Sequence, residues 1–202
     1  MSTALIGVTG KILGALLYFP PESPQVQPLI RLLAQEDGLA QWPDLSNALS
    51  AAIANDIAAS ATYPESLSDA FQRLFIGPYA LPAPPWGSVY LDKESVLFGS
   101  STLQLRQWMQ SHGIAPHFDQ AEPEDHIGLM LMMAAWLEEQ EPQWLPEFLG
   151  DHLLCWSGRY LERLQQGAQH PFYQAIALLT RATLQGWQQR CAGNIKEVEL
   201  YY

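Results

Sequence analysis

Between residues 127 and 137 the chain reads Ile-Gly-Leu-Met-Leu-Met-Met-Ala-Ala-Trp-Leu, with no charged side chain and no polar face. A helix built from this run carries Ile127, Leu129, Met130, Leu131, Met132, Met133 and Trp136 around nearly its whole circumference. Such a helix needs apolar neighbours on every side, which places it at the centre of a bundle. No uncharged apolar stretch in the chain reaches the length of a membrane span.

The flanking sequence supplies helices to surround it. Val8, Ile12, Leu16 and Phe19 recur at helical spacing, and Pro20-Pro21 stops that helix. Leu29, Ile30, Leu32 and Leu33 mark a second helix ending near Gly38. Leu45, Leu49, Ile53 and Ile57 mark a third, with Asp44 as its expected N-cap. A fourth runs over about 64–76 and puts Leu67, Phe71, Leu74 and Phe75 on one face. Further helices are expected from Thr102 to Gly113, over 144–154 and 157–166, and from about Pro171 to Arg190. Pro123 suits the first position of the apolar helix. The tail after Gly193 receives no assignment. No alternating strand pattern, repeat or long linker interrupts this order. The expectation is an all-α, single-domain helical bundle of roughly eight to eleven helices spanning 1–202.

Charge narrows the partners. The chain has 202 residues, of which 21 are acidic and 10 basic, for a formal net charge of −11. Phosphate binding needs clustered Lys and Arg, so nucleic acid is excluded as a partner, and an anionic membrane surface is disfavoured. A basic partner would be steered inward. Two cysteines, Cys155 and Cys191, make neither a disulfide framework nor a CxxC pair, which fits a reducing compartment. Residues 4–19 do not read as an export signal. No basic residue precedes them, Lys11 interrupts them, and no small-x-small site follows before Pro20. A cytoplasmic protein without stable membrane insertion is expected.

Two groups of residues stand out. Residues 77–87 read GPYALPAPPWG, too rich in proline for a helix yet holding Tyr79, Leu81 and Trp86. A rigid apolar loop either packs on the core or binds something. With Phe71, Leu74, Phe75 and Phe98 it forms a set that is either core or binding surface. The second group is Glu122, Glu124, Asp125 and His126. Three readings stay open: ligands of a metal, carboxylates stabilising a helix start, or a receptor for arginines through bidentate hydrogen bonds. His126 would add pH sensitivity between about pH 5 and 8. Histidines stand at 112, 117, 126, 152 and 170. No GxSxG elbow, phosphate loop or GxGxxG turn accompanies them, so catalysis has no positive support.

The segment Phe71-Gln-Arg-Leu-Phe-Ile-Gly-Pro-Tyr79, the run PPWGSVYLDKESVLFG over 84–99, and Glu122-Pro-Glu-Asp-His126 opening a long apolar helix together resemble the DmsD/TorD family of twin-arginine (Tat) proofreading chaperones. These are also called redox enzyme maturation proteins, and the resemblance is to the DmsD branch. It implies a TorD-like all-α fold with neither enzyme activity nor cofactor. It also implies binding, in the cytoplasm, of the twin-arginine leader of a dimethyl sulfoxide reductase-type molybdoenzyme catalytic subunit, which delays export until the cofactor is loaded. Tat translocase components are further candidate partners. Carried over by motif, the leader-binding candidates are Phe71, Leu74, Phe75, Tyr79, Pro85, Trp86, Gly99, Glu122, Pro123, Asp125 and His126, with Tyr18 and Lys11 on the first helix. Tyr79 stands where the DmsD branch is expected to carry Trp. Two other classes remain as alternatives: a guanine-nucleotide-dependent maturation factor, and a metal-dependent helical hydrolase using Glu122, Asp125 and His126.

Overall fold

A computed structural model describes residues 4–115, 122–191 and 193–202, and all its regular elements are helical. The first helix, α1 (Ala4–Tyr18), ends where Pro20-Pro21 requires it. Short α2 (Gln27–Leu33) and longer α3 (Asn47–Ser60) follow. The N-cap of α3 is Ser46, whose Oγ accepts from Leu49 N at 3.2 Å. Asp44, the residue expected there, instead has a φ of 61° and pairs with Arg190 of the last helix.

The helix α4 (Leu67–Phe71) runs directly into a π-helical turn, Gln72–Ile76, closed by Gly77 N donating to Gln72 O at 2.9 Å. After the proline-rich loop comes α5 (Gly87–Leu91), which the sequence pattern did not announce. Then come α6 (Ser100–Ser111) and the apolar α7 (Ile127–Gln140). The two helices expected over 144–166 are one continuous rod. It consists of α8 (Leu145–Glu147), a π-helical stretch Phe148–Leu153, and α9 (Leu154–Gly167). Its one proline, Pro146, stands in the first turn, and none lies near 154–157 to force the expected break. Finally α10 (Pro171–Cys191) packs against α3 and α9. His117 and Asp119, in the polar connection before α7, lie outside the described residues.

Helix α7 is central, as its composition demands. Ile127, Met130, Leu131, Ala134 and Leu137 are fully buried, and over 127–137 only Trp136 is exposed, with Glu139 and Gln140 reaching solvent at the helix end. Its main partner is α1, laid antiparallel across it at very short range. A Cβ on Gly14 would stand 2.7 Å from the Gly128 carbonyl oxygen, and one on Gly128 would stand 2.8 Å from Tyr18 Cβ. Only glycine permits that approach. The contact fixes Tyr18 over the start of α7. At the other end of the pair, Glu138 of α7 accepts from Gly7 N at 2.5 Å, capping the start of α1.

The tail over 193–202 is irregular but held. Lys196 N donates to Gly150 O at 3.1 Å, and Tyr201 N donates to Tyr90 O at 2.9 Å. The Tyr202 ring lies under the Arg163 guanidinium, 4.0 Å from ring centre to Cζ. Among the described residues no helix is long and apolar enough to cross a membrane.

Candidate functional site

The proline-rich loop and the Glu122–His126 turn meet. Gly87 N donates to Asp125 O at 3.0 Å and Ile127 N donates to Pro85 O at 2.8 Å, a single antiparallel bridge centred on Trp86 and His126. Prolines on the loop side limit the conformations lost when this junction forms. The bridge brings together Pro85, Trp86, Glu122, Pro123, Asp125 and His126. Through the glycine contact of α1 with α7, it brings Tyr18 as well.

Each acidic residue of the turn has its own partner. Asp125 is buried, 3% exposed. Its Oδ2 accepts from Ser88 N at 2.6 Å and from Thr102 Oγ1 at 3.0 Å, which joins the starts of α5 and α6 to the turn. Its Oδ1 is buried without a partner. Burial pushes the Asp125 carboxyl above the usual range, and the Ser88 and Thr102 hydrogen bonds oppose that. Glu124 holds Arg106 of α6 through two parallel bonds, Nε to Oε1 at 2.8 Å and Nη2 to Oε2 at 2.7 Å. Glu122 is half-buried and accepts from the Trp86 indole Nε1. The indole itself is half-buried, with His126 edge-on at 6.0 Å.

His126 corrects two sequence expectations. It is the N-cap of α7, its Nδ1 accepting from Gly128 N at 3.1 Å, so Pro123 is not the first helical residue and no carboxylate lies in the first turn. The chain turns once more before the helix starts because Asp125 O and Ile127 N, on either side of His126, are occupied in the bridge to the proline-rich loop. The ring is also buried, with Tyr18 edge-on at 5.1 Å. Burial drives its pKa down to about 3, so it stays neutral across pH 5–8 rather than titrating there.

The other candidates are dispersed. Phe71, Leu74 and Phe75 lie in the core, with Phe75 against the Tyr173 ring at 5.5 Å. Tyr79 is 84% exposed on the loop, beside exposed Ile76. Gly99 precedes α6, where a Cβ would collide with the Asp92 carboxylate that accepts from Ser101 N at 3.1 Å. Lys11, midway along α1, pairs with Glu139 at 2.5 Å. Among the described residues no ring or hydrogen-bond contact joins Phe71, Phe75 or Tyr79 to Trp86.

Sequence reasoning missed Ser88, Thr102 and Arg106. The last left a signal, as a lone basic residue within the otherwise uncharged run 102–109. Glu122, Asp125 and His126 face Trp86, Ser88 and Gly128 respectively, so they do not converge on a metal. No cluster of three or more His, Cys, Asp or Glu suited to a metal occurs among the described residues. What the junction offers is a half-buried indole beside a half-buried carboxylate, the two joined by the hydrogen bond from Trp86 Nε1 to Glu122. That combination suits a planar cation.

Comparison with known proteins bears on this arrangement. The family described as nitrate reductase delta subunit matches residues 34–162. The Tat proofreading chaperone DmsD of Salmonella typhimurium is 52% identical over 182 residues, covering 90% of this chain and 88% of that protein. The chaperone protein TorD of Ferrimonas balearica is 30% identical over 154 residues, covering 72% and 70%. A crystal structure described as a redox enzyme maturation protein of Archaeoglobus fulgidus superposes with a TM-score of 0.55 at 17% identity, covering 87% of this chain and 92% of that one, which bears on the fold alone. Relatives are named as chaperones, and this chain is a chaperone rather than an enzyme. With matches of this extent, on a fold in which the two signature motifs are hydrogen-bonded together, the chain belongs to the nitrate reductase delta subunit family and, within it, to the DmsD/TorD group of Tat proofreading chaperones.

Proposed function

We propose that this chaperone works in the cytoplasm and binds the twin-arginine leader of a dimethyl sulfoxide reductase-type molybdoenzyme catalytic subunit, holding back export until the cofactor is in place. The observation that carries this reading is the contact of Trp86 with Glu122, which sets an aromatic face beside a carboxylate on an acidic molecule. Arginine binds such a pair by stacking and by hydrogen bonding at once.

The site residues divide by what they can reach. Trp86, Glu122 and Tyr18 face the leader's arginines. Asp125, His126, Pro85 and Pro123 hold the turn and loop in register. Tyr79 is an exposed anchor for the leader's apolar middle. Phe71, Leu74, Phe75 and Gly99 act through the scaffold, and Lys11 through its pairing with Glu139.

Calorimetric titration with a synthetic twin-arginine leader tests the proposal. A disordered peptide loses part of its interaction energy to ordering, so binding of roughly −8 to −10 kcal/mol is expected, micromolar to submicromolar. Absence of saturable heat with folded protein refutes the reading.

A further inference from the structure

The Glu122–Asp125 turn already contains an arginine, and it is the protein's own. Arg106 lies on Glu124 in the two-bond, side-on geometry by which guanidinium groups are recognised. The Arg106 side chain is 38% exposed, so it can leave for water, whereas Glu124 is only 15% exposed beneath it. Neighbouring carboxylates are differently placed. Asp125 points inward to Ser88 and Thr102, and its burial keeps it from a solvent-borne cation. Glu122 is held by a neutral donor, the Trp86 indole. A ligand with two adjacent cations therefore finds one carboxylate open to exchange, Glu122, and a second that must first release Arg106.

We propose that Arg106 is a specificity-determining residue, an internal guanidinium that an incoming arginine displaces from Glu124. The inference rests on the leader-binding reading above. The exchange is nearly balanced for arginine, because one planar fork replaces another and both bonds to Glu124 are remade. For lysine it is not balanced, because a compact ammonium cannot remake the side-on pair. The internal pair thus lowers affinity for every cationic peptide but lowers it more for lysine than for arginine, a penalty directed against the wrong ligand.

The experiment titrates a twin-arginine leader peptide and its twin-lysine counterpart into wild type, Arg106→Gln and the double variant Arg106→Gln/Glu124→Gln, each checked for folding by thermal melting. Arg106→Gln is expected to tighten the twin-arginine peptide roughly 3- to 10-fold. It should tighten the twin-lysine peptide further, so that the preference for arginine narrows. The double variant should lose both gains. If folded Arg106→Gln binds the twin-arginine peptide equally or more weakly, or leaves the preference unchanged, Arg106 is no competitor and the inference falls while the leader reading stands. Should Arg106→Gln not fold, Arg106→Lys is read in its place. It keeps the charge but loses the fork, and must show a smaller gain of the same sign. Failure of wild type and variants alike to bind either peptide refutes the leader reading and this inference with it.

Discussion

The stretch 67–79 and the junction of 85–88 with 122–126 are both aromatic, both rich in proline or glycine nearby, and both part of the family signature, yet their side chains face opposite ways. In the first, Phe71, Leu74 and Phe75 point into the core, and of the large apolar side chains only Ile76, closing a π-helical turn, and Tyr79 beyond it are exposed. In the second, backbone and buried carboxylate are committed to the scaffold while the Trp86 ring and Glu122 stay half-exposed. On the proposed function, a sequence motif therefore marks both the residues that would contact the leader and those that aim them. Burial separates the two roles.

Truncating the first region should have the largest effect, and on stability alone. Phe75→Ala removes a ring packed between Phe71 and Tyr173, at 5.0 and 5.5 Å. It is expected to cost about 3–5 kcal/mol in urea unfolding. Protein that remains folded should bind the leader within about twofold of wild type. A large loss of affinity without loss of stability would put Phe75 among the contact residues and dissolve the contrast.

Acid probes the second region. His126 is neutral in the fold with a pKa near 3, whereas in the unfolded chain it protonates near its ordinary value. Below about pH 6.5 the unfolded state binds the proton first, so stability falls with pH at up to about 1.4 kcal/mol per unit until the folded pKa is reached. Asp125 acts with the opposite sign. Its folded pKa is raised, so the native state takes up the proton first and acidification through that window stabilises it. Burial also lowers the pKa values of His152 and His170, adding to the loss. Comparing wild type with His126→Gln in urea at pH 7.5 and 5 isolates the His126 share. The gap between them should shift in favour of the variant at pH 5 by roughly 1–2 kcal/mol. An unchanged gap means that His126 is charged, and so solvated, in the folded protein.

Sequence alone revealed the central helix, because eleven uncharged residues at 127–137 admit no other place for it, and the helix stop at Pro20-Pro21. It also identified the two groups that meet. It did not reveal how they meet. The sequence groups Asp125 with Glu122 and Glu124 and leaves three readings open for all of them, since nothing in a residue's type says which backbone N–H lacks a partner. The N–H at Ser88 belongs to α5, a helix of five residues, too short to leave a periodic pattern. The N-cap role of His126 was hidden for a related reason. Pro123 offers an ordinary helix start, and only the pairing of residues 85–87 with 125–127 delays it. Long-range pairing of this kind has no local signature.

Within the second region, Trp86→Phe separates ring from hydrogen bond. Phenylalanine keeps an aromatic face but cannot donate to Glu122. Leader affinity should fall by about 1 kcal/mol, near fivefold, with little change in melting temperature. Equal affinity would mean that the indole N–H does not orient Glu122 for the ligand.

The smallest expected effect lies at the outer support of the loop that carries Trp86. Tyr202 reaches both of that loop's flanks, its hydroxyl donating to Leu81 O at 3.5 Å and its ring edge-on to Tyr90 at 5.6 Å. Arg163 stacks on the same ring and donates from Nε to Pro82 O at 3.3 Å, while Arg159 Nε donates to Tyr202 O at 3.1 Å. Removing the ring leaves the inner attachment intact, because the bridge from Trp86 to His126 makes no use of it. Tyr202→Ala is therefore expected to cost about 0.5–1 kcal/mol of stability. Amide exchange should speed up in the 81–90 segment but not across 125–128. Tyr202→Phe, which keeps the stacked ring and loses only a long hydrogen bond, should behave as wild type. Faster exchange at 125–128 in Tyr202→Ala would show that the two attachments are one cooperative unit, and that the tail helps hold the junction as well as the loop.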